Sequence, residues 1–342
     1  MGLFGSNIIT GIDVGAGSIK AVQIAAGKRP KLLSASIVEL PLEPVPEAVG
    51  EELRHLQDNK KIGRKNVVTQ MPGKDITIRS LLLPKMPLAE LREAVRWEAK
   101  RHISFPLDAA LVEYLITGEK HEGMVDKYDI LMVAAEQNKV VAHLAPFRDA
   151  GIKVSAVDGN ALALRNVLRS RERAAEGNIL VVDIGFGKTE INIFNEGVLR
   201  FSRCLETGGF DMTRMLSESL NIALPDAEAL KQKMDVPAQP AQDQDKGAEV
   251  VCSRLDGLLM EIRRSVEYYK TTFREKSVET AVLTGGVSLM RGTVEYFSQS
   301  LDFPVELDDP FAGLLCSDAL REEFGPFAPR FSAAVGLALR KA

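Results

Sequence analysis

Two stretches of this chain bring an acid, paired glycines and a hydroxyl together within a few residues. The first is Gly11-Ile12-Asp13-Val14-Gly15-Ala16-Gly17-Ser18-Ile19-Lys20. β-Branched residues lead in (Ile8, Ile9, Ile12, Val14) and out (Ile19, Val22, Ile24), so it reads as strand, glycine turn, strand. Such a turn leaves backbone N–H groups bare, and the concavity binds anions. Ser18 adds a side-chain donor and Lys20 a cation. Asp13 can hold a water of a Mg²⁺ ion, which favours carboxylate, water and phosphate oxygens. A hairpin of this kind can cradle the phosphates of a nucleotide.

The pattern returns in Ile179-Leu180-Val181-Val182-Asp183-Ile184-Gly185-Phe186-Gly187-Lys188-Thr189. Asp183 answers Asp13, Gly185 answers Gly15, Gly187 answers Gly17, and Thr189 or Lys188 answers Ser18. Lys188 could pair with a phosphate or point to solvent. Two copies of one turn, each opening one half of the chain, imply duplicated lobes that close on one ligand. A third element, Ala281 to Ser288, is a strand ending in Gly285-Gly286, where backbone can approach a base or ribose closely.

The elements that must position these turns follow from periodicity. Residues 31–40 read as a further strand of the first sheet and 47–59 as a helix with Val49, Leu53 and Leu56 on one face. A short strand over 66–71 stops at Pro72-Gly73. Then comes an inserted module, 74–151. It holds a strand from Ile76, a helix from Leu88 to Ile103, two strands at 111–117 and 127–136, and a helix over 140–150 with Val141, Leu144 and Phe147 inward. In the first of these helices Leu88, Leu91, Val95, Ala99 and Ile103 share a stripe. Trp97 lies off that stripe, near Glu90, Glu93 and Arg101. Either it packs on a neighbouring element or it anchors a partner, as exposed aromatics do at interfaces. Strand, acid and helix follow at Val154–Leu168, and the acid, Asp158, is an N-cap candidate. The Val236–Gln244 stretch is a polar loop. Residues 255–273 are an amphipathic core helix, 289–301 another helix, and 331–340 the last.

Bulk properties exclude other classes. At 342 residues the chain can build two lobes with proper cores. A net charge of −4 disfavours a nucleic-acid partner. Three separated cysteines form no CxxC and read as reduced thiols, and four histidines show no metal-ligand spacing. No apolar run approaches the ~18 residues of a membrane span, and no signal peptide is expected. Met1-Gly2 to Ser6 matches the myristoylation pattern only formally, with Phe4 packing or fraying. Gly185-Phe186-Gly187-Lys188-Thr189 is no P-loop, because Val182 occupies the first glycine position. Gly15-Ala16-Gly17 is no dinucleotide fingerprint, because Lys20 replaces the third glycine.

Two D-x-G turns with a late strand-Gly-Gly resemble the actin-like ATPase superfamily, which includes actin, sugar kinases, MreB and FtsA. Within it the chain resembles the PilM family of type IV pilus assembly. The matching pieces are the first turn, Leu91-Arg92-Glu93-Ala94-Val95-Arg96-Trp97-Glu98-Ala99, Phe105-Pro106-Leu107-Asp108, the turn from Gly208-Gly209 to Thr213, and Val335 to Arg340. The resemblance runs nearly end to end. It implies a two-lobed actin-like α/β fold with an FtsA-type inserted subdomain. The first lobe would be 1–73 and 152–176, the insert 74–151 and the second lobe 177–207 and 279–330. A nucleotide-flanking subdomain would span 208–278 and a returning helix 331–342.

It also implies ATP with Mg²⁺ between the turns. Asp13 and Asp183 would hold metal waters, and Gly15, Ala16, Gly17, Ser18, Lys20, Gly185, Phe186, Gly187, Lys188 and Thr189 would line the phosphates. Gly208, Gly209, Glu228, Lys231, Gly285, Gly286 and Ser288 would flank base and ribose. Ala227-Glu228-Ala229-Leu230-Lys231 resembles a nucleotide-contacting A-E-x-x-K helix, the plain alternative being a surface ion pair. Asp158 matches the position that lines up the attacking water, and turnover would be weak. The insert would receive the cytoplasmic tail of PilN through Leu91, Val95, Trp97 and Phe105, with other platform proteins and self-association as further contacts. The location implied is cytoplasmic, recruited to the inner membrane only through partners, because no amphipathic anchor like that of FtsA follows. Two rival classes remain. A small-molecule kinase would need an acidic base beside an acceptor pocket, and none is evident. An FtsA-like filament would pellet with ATP.

Overall fold

A computed structural model describes residues 8–42, 46–59, 62–122, 125–171, 177–237, 246–273 and 277–340. The Met1–Ser6 stretch, most of the Val236–Gln244 loop and the lobe boundary at Glu176 lie outside these. The chain opens with β1 (Ile8–Val14), β2 (Ser18–Ala25) and β3 (Lys31–Glu39), then α1 (Pro46–Asp58) and β4 (Val67–Met71). The insertion adds β5 (Ile76–Pro84), α2 (Leu88–Ala99), β6 (Ala110–Glu122) and β7 (Val125–Glu136), before α3 (Gln137–Asp149), β8 (Val154–Gly159) and α4 (Asn160–Ser170). The second half runs β9 (Asn178–Ile184), β10 (Thr189–Asn195), β11 (Val198–Leu205), α5 (Gly209–Leu220), α6 (Leu224–Lys233) and α7 (Lys246–Phe273). It ends with β12 (Thr280–Thr284), α8 (Thr293–Ser300), β13 (Val305–Leu307), α9 (Asp318–Phe324) and α10 (Ser332–Ala338).

The duplication is visible in the sheets. One has the order β3-β2-β1-β4-β8 and the other β11-β10-β9-β12-β13. In each, three antiparallel strands are followed by two parallel ones. Parallel strands need covering on both faces. In the first sheet α10 supplies one cover, with Val335 and Ala334 joining Val22, Ile24 and Leu32 in one apolar cluster. On the other, Leu53 and Leu56 of α1 pack with Phe147 of α3. In the second sheet, Leu180, Val182, Ile191 and Ile193 pack on α7 through Leu255, Leu258, Ile262 and Tyr269.

Four elements differ from the sequence expectation. The helix from Leu88 ends at Ala99, because Lys100, Arg101 and His102 donate to the carbonyls of Trp97, Glu98 and Ala99, three residues back, and so tighten the last turn. Leu88 is exposed, leaving Leu91, Val95 and Ala99 as the buried stripe. Val141, expected inward, is exposed, and Phe147 carries the packing of α3. Helix α8 starts at Thr293 rather than Leu289, since Gly292 turns left-handed at φ 81°. Helix α9, seven residues long, had no periodic signal to announce it.

The seam between α10 and its neighbours is built of glycine. A Cβ on Gly11 would meet the Ala334 carbonyl, and one on Gly336 would meet the Ala163 carbonyl. Gly336→Ala is therefore expected to cost about 1–3 kcal/mol by overpacking. The check is a lower midpoint in urea unfolding; an unchanged midpoint would mean that α10 does not sit this close to α4.

Candidate functional site

The two glycine turns are built alike. In the first, the Gly15 N–H donates to the Ser18 carbonyl at 3.0 Å; in the second, Gly185 donates to Lys188 at 2.9 Å. They also meet. A Cβ on Gly17 would lie 2.6 Å from the Phe186 ring, and one on Gly187 would lie 3.2 Å from Ala16. The aspartates next to the ends of β1 and β9 lie within electrostatic reach of each other, and the space beside them is the candidate gap between the lobes.

Each aspartate is held from behind by an amide. Gln70 donates to Asp13 Oδ1 at 2.6 Å, and Asn160 donates to Asp183 Oδ2 at 2.7 Å. Lys20 closes on Asp13 Oδ2 at 2.8 Å. The acceptor oxygens of both amides, Gln70 Oε1 and Asn160 Oδ1, are buried without a partner. A buried polar atom in that state needs an explanation, and a water or ion is the usual one. Two carboxylates beside one gap suit a hydrated divalent cation, whose waters donate to such oxygens. Burial and the charge of Glu190 push the Asp183 carboxyl up to about 6, against the Asn160 hydrogen bond and Lys188. A bound cation would reverse that balance.

Beyond the aspartates, several expected ligand contacts turn out to support the second turn. Lys188, half-buried, pairs with buried Glu190, whose charge outweighs burial and holds the ammonium protonated. Thr189 donates to the Thr207 carbonyl at 2.7 Å. The start of α5 docks on the turn, with Gly209 donating to Gly185 and Phe210 to Phe186. Gly208 has no room for a Cβ beside the Phe186 carbonyl and the Lys188 N–H. Lys231 is buried and donates to Gly209 O, Thr213 Oγ1 and Glu228 Oε2 at 2.7–2.9 Å. Its three donors brace α5. Burial opposes the charge of Glu228, but Lys231 outweighs it and holds the carboxyl below its usual range. Ser288 donates to Gly285 O at 2.7 Å and is likewise structural. Gly285, at φ 86°, leaves no space for a Cβ beside Asp183 Oδ1, while Gly286 is open.

One further expectation needs correction, and Asp158 has protein partners of its own. Its Oδ1 accepts from the Gly159 N–H, its Oδ2 lies 3.3 Å from Arg340, and Gly159 is the cap of α4. Burial raises its pKa against both contacts. Asn160, two positions on, is the residue that contacts an aspartate of the turns, donating to Asp183. In the insert, Leu91 and Val95 are fully buried against Leu81, Ile130 and Met132, so they form its core and cannot touch a partner. Trp97 is 64% exposed, with Lys100 over its ring at 6.0 Å, and Phe105 is half-buried. An open groove of about 610 Å³ runs between α2 and β6, lined by Leu88, Arg92, Tyr114 and Ile116 among others.

Gln70, Asn160, Glu190 and Arg330 were not anticipated. Asn160 carried a local signal, an amide at the start of a helix behind a strand; the others carried none. A cavity of about 240 Å³ behind Asp183 is lined by Asn160, Glu190, Gly73 and Cys204.

Comparison with known proteins sets this geometry in a family. The chain is 31% identical over 179 residues to the cell division protein FtsA of Neisseria meningitidis serogroup B, which is 46% of this chain and 41% of that protein. The chain thus spans less than half the length of the curated relatives it matches. Among solved structures, a PilM-PilN type IV pilus biogenesis complex is similar at 27% identity and TM-score 0.85, covering 97% of this chain and 98% of that one. MreB 5 of Spiroplasma citri bound to AMPPNP shares the fold at 12% identity and TM-score 0.52, over 96% and 94%. The family model described as type IV pilus assembly protein PilM matches residues 11–342, and the chain belongs to that family.

Proposed function

We propose that this protein is an ATP-binding component of the type IV pilus inner-membrane assembly platform that docks the cytoplasmic tail of a PilN-like protein. The observation that carries the nucleotide reading is the candidate gap beside Asp13 and Asp183, whose supporting amides each keep an orphaned oxygen. Mg²⁺ would be held through its waters by the two carboxylates. When bound, it would neutralise phosphate charge. The bare turn amides would receive phosphate oxygens, and Gly285-Gly286 would leave room for the sugar. Such a ligand touches both lobes and favours the closed arrangement over an open one. The reading as an assembly protein is supported by the similarity, over nearly all of both chains, to the chain in the PilM-PilN complex. No described helix is long and apolar enough to cross a membrane; a cytoplasmic protein recruited through its partner accords with that.

The insert is the proposed docking surface, with Trp97 as anchor and the groove by Leu88, Arg92, Tyr114 and Ile116 beside it. Trp97 is the only tryptophan of the chain, so its fluorescence reports this surface alone. A synthetic PilN-like N-terminal peptide should shift its emission to the blue. Trp97→Ala should weaken the peptide tenfold or more, as a hot-spot anchor does. If the peptide binds wild type and Trp97→Ala equally, the anchor lies elsewhere; if it binds neither, the partner assignment fails.

Asp13→Asn and Asp183→Asn should each weaken Mg·ATP at least tenfold in titration calorimetry, and a chelator should do the same to the wild type. The ligand-free protein should respond in the opposite sense. With its folded pKa near 6, above the ordinary 3.8, Asp183 binds a proton more tightly folded than unfolded. Its ionisation therefore costs stability above pH 6, by at most about 3 kcal/mol. That cost fades as pH falls toward 4. Asp183→Asn should melt several degrees higher than wild type at pH 8, with the gap closing near pH 5. Equal melting at pH 8 would count against a buried, unneutralised carboxylate.

A further inference from the structure

One arginine touches the first phosphate turn and belongs to neither motif. Arg330 lies just before α10, and its Nη2 donates to Ser18 Oγ at 3.1 Å. The same guanidinium sits 2.7 Å from Glu39 Oε1 and 2.9 Å from Oε2. Ser18 and Lys20 are two apart on β2, so they share a face of the sheet. Glu39 is the register partner of Ser18 on β3, and Asp13 that of Lys20 on β1. Lys20 reaches Asp13 on that face, so Arg330 lies over the face that carries the gap.

The neighbours of Arg330 in sequence fix it there. The Pro329 carbonyl accepts from the Gly285 N–H at 3.1 Å and from Thr284 Oγ1 at 2.7 Å, both in the second half of the site. Phe331 is fully buried in the first-lobe cluster with Val22, Ile24 and Leu32. Three consecutive residues thus bind, in turn, the strand-Gly-Gly element, the first phosphate turn and the first-lobe core.

We propose that Arg330 is a nucleotide-site residue that positions Ser18 and exchanges Glu39 for a phosphate oxygen when a nucleoside triphosphate binds. The inference rests on reading the gap as a nucleotide site. By donating to Ser18 Oγ, Arg330 occupies an acceptor lone pair and leaves the hydroxyl hydrogen free to donate to phosphate. Its present carboxylate is a weak hold. The Glu39 side chain is 63% exposed, and exposed pairs contribute little. A triphosphate carries more charge than one carboxylate and would sit in a drier place, where charge-assisted hydrogen bonds to arginine are stronger. Glu39 is then a competitor for the arginine rather than its support.

That competition sets the test. Mg·ATP affinity is measured by calorimetry on the full chain, with adenosine as a probe that lacks phosphate. Arg330→Gln should weaken Mg·ATP tenfold or more and leave adenosine unchanged. Ser18→Ala should weaken Mg·ATP, and adding Arg330→Gln to it should cost less than it does in the wild type. Glu39→Gln should tighten Mg·ATP several-fold, whereas a purely structural Arg330–Glu39 pair would make the same change neutral or harmful. An unchanged Mg·ATP affinity in folded Arg330→Gln overturns the proposal, as does weaker binding by Glu39→Gln. Should Arg330→Gln fail to fold, Glu39→Gln decides alone. If wild type binds no Mg·ATP, the nucleotide reading falls and this proposal with it. If wild type binds and the variants behave alike, only this proposal falls.

Discussion

The site depends on one close approach: two turns from opposite lobes touch at positions that carry no side chain. Gly17 takes the ring of Phe186, and Gly187 takes the methyl of Ala16. A larger residue at Gly17 would collide with the Phe186 ring and push one turn off the other, while Gly187 leaves only a tight fit beside Ala16. Everything behind the turns serves that approach. The sheets place an antiparallel pair at each turn and a parallel strand beside it. In the first lobe, β4 delivers Gln70 to Asp13, and the junction of β8 with α4 delivers Asn160 across to Asp183. The first lobe therefore orients both acids.

The second turn is braced far more heavily than the first. Beneath it lie the N-terminus of α5, the ammonium of Lys231 with three acceptors, and the Lys188–Glu190 pair. Phe186 is sandwiched in this brace, with Phe210 at 5.2 Å and Lys231 at 5.8 Å. The cost of burying the Lys231 charge is only partly offset by acceptors that belong to the turn's own support, so its pKa lies below the usual value. A cation so placed stiffens the turn rather than greeting a ligand. Motif residues near a ligand site thus divide into those that can touch it and those that hold the shape.

What could be read from the sequence follows from how far apart the interacting residues are. The hairpins were legible, because a strand-Gly-x-Gly-strand signature is contained within about ten residues. So was the buried stripe of α2, which repeats at helical spacing, although the same periodicity cannot say whether Leu91 and Val95 meet a core or a partner. A stripe that regular turned out to be core, and the off-stripe Trp97 stayed in solvent. Contacts between distant segments left no local trace. Gln70 is 57 residues from Asp13, and Arg330 is 312 from Ser18. The Arg340–Asp158 pair spans 182 positions and left no trace in sequence either.

The insert interrupts the first lobe in sequence, yet it packs on the second lobe too. Asp129 of β7 is buried and paired with Arg200 of β11. Ile78 and Leu131 of the insert share an apolar cluster with Phe194, Leu199 and Val181 of the second sheet. Separating them would strand a buried charge, at about 3–5 kcal/mol, and expose that apolar surface as well. The insert is tied to the first lobe as well: Ile78 and Leu131 share that same cluster with Ala161, Leu164 and Leu168 of α4, and Phe147 of α3 packs on α1. The insert therefore bridges the two lobes, and the surface that presents Trp97 rests on both.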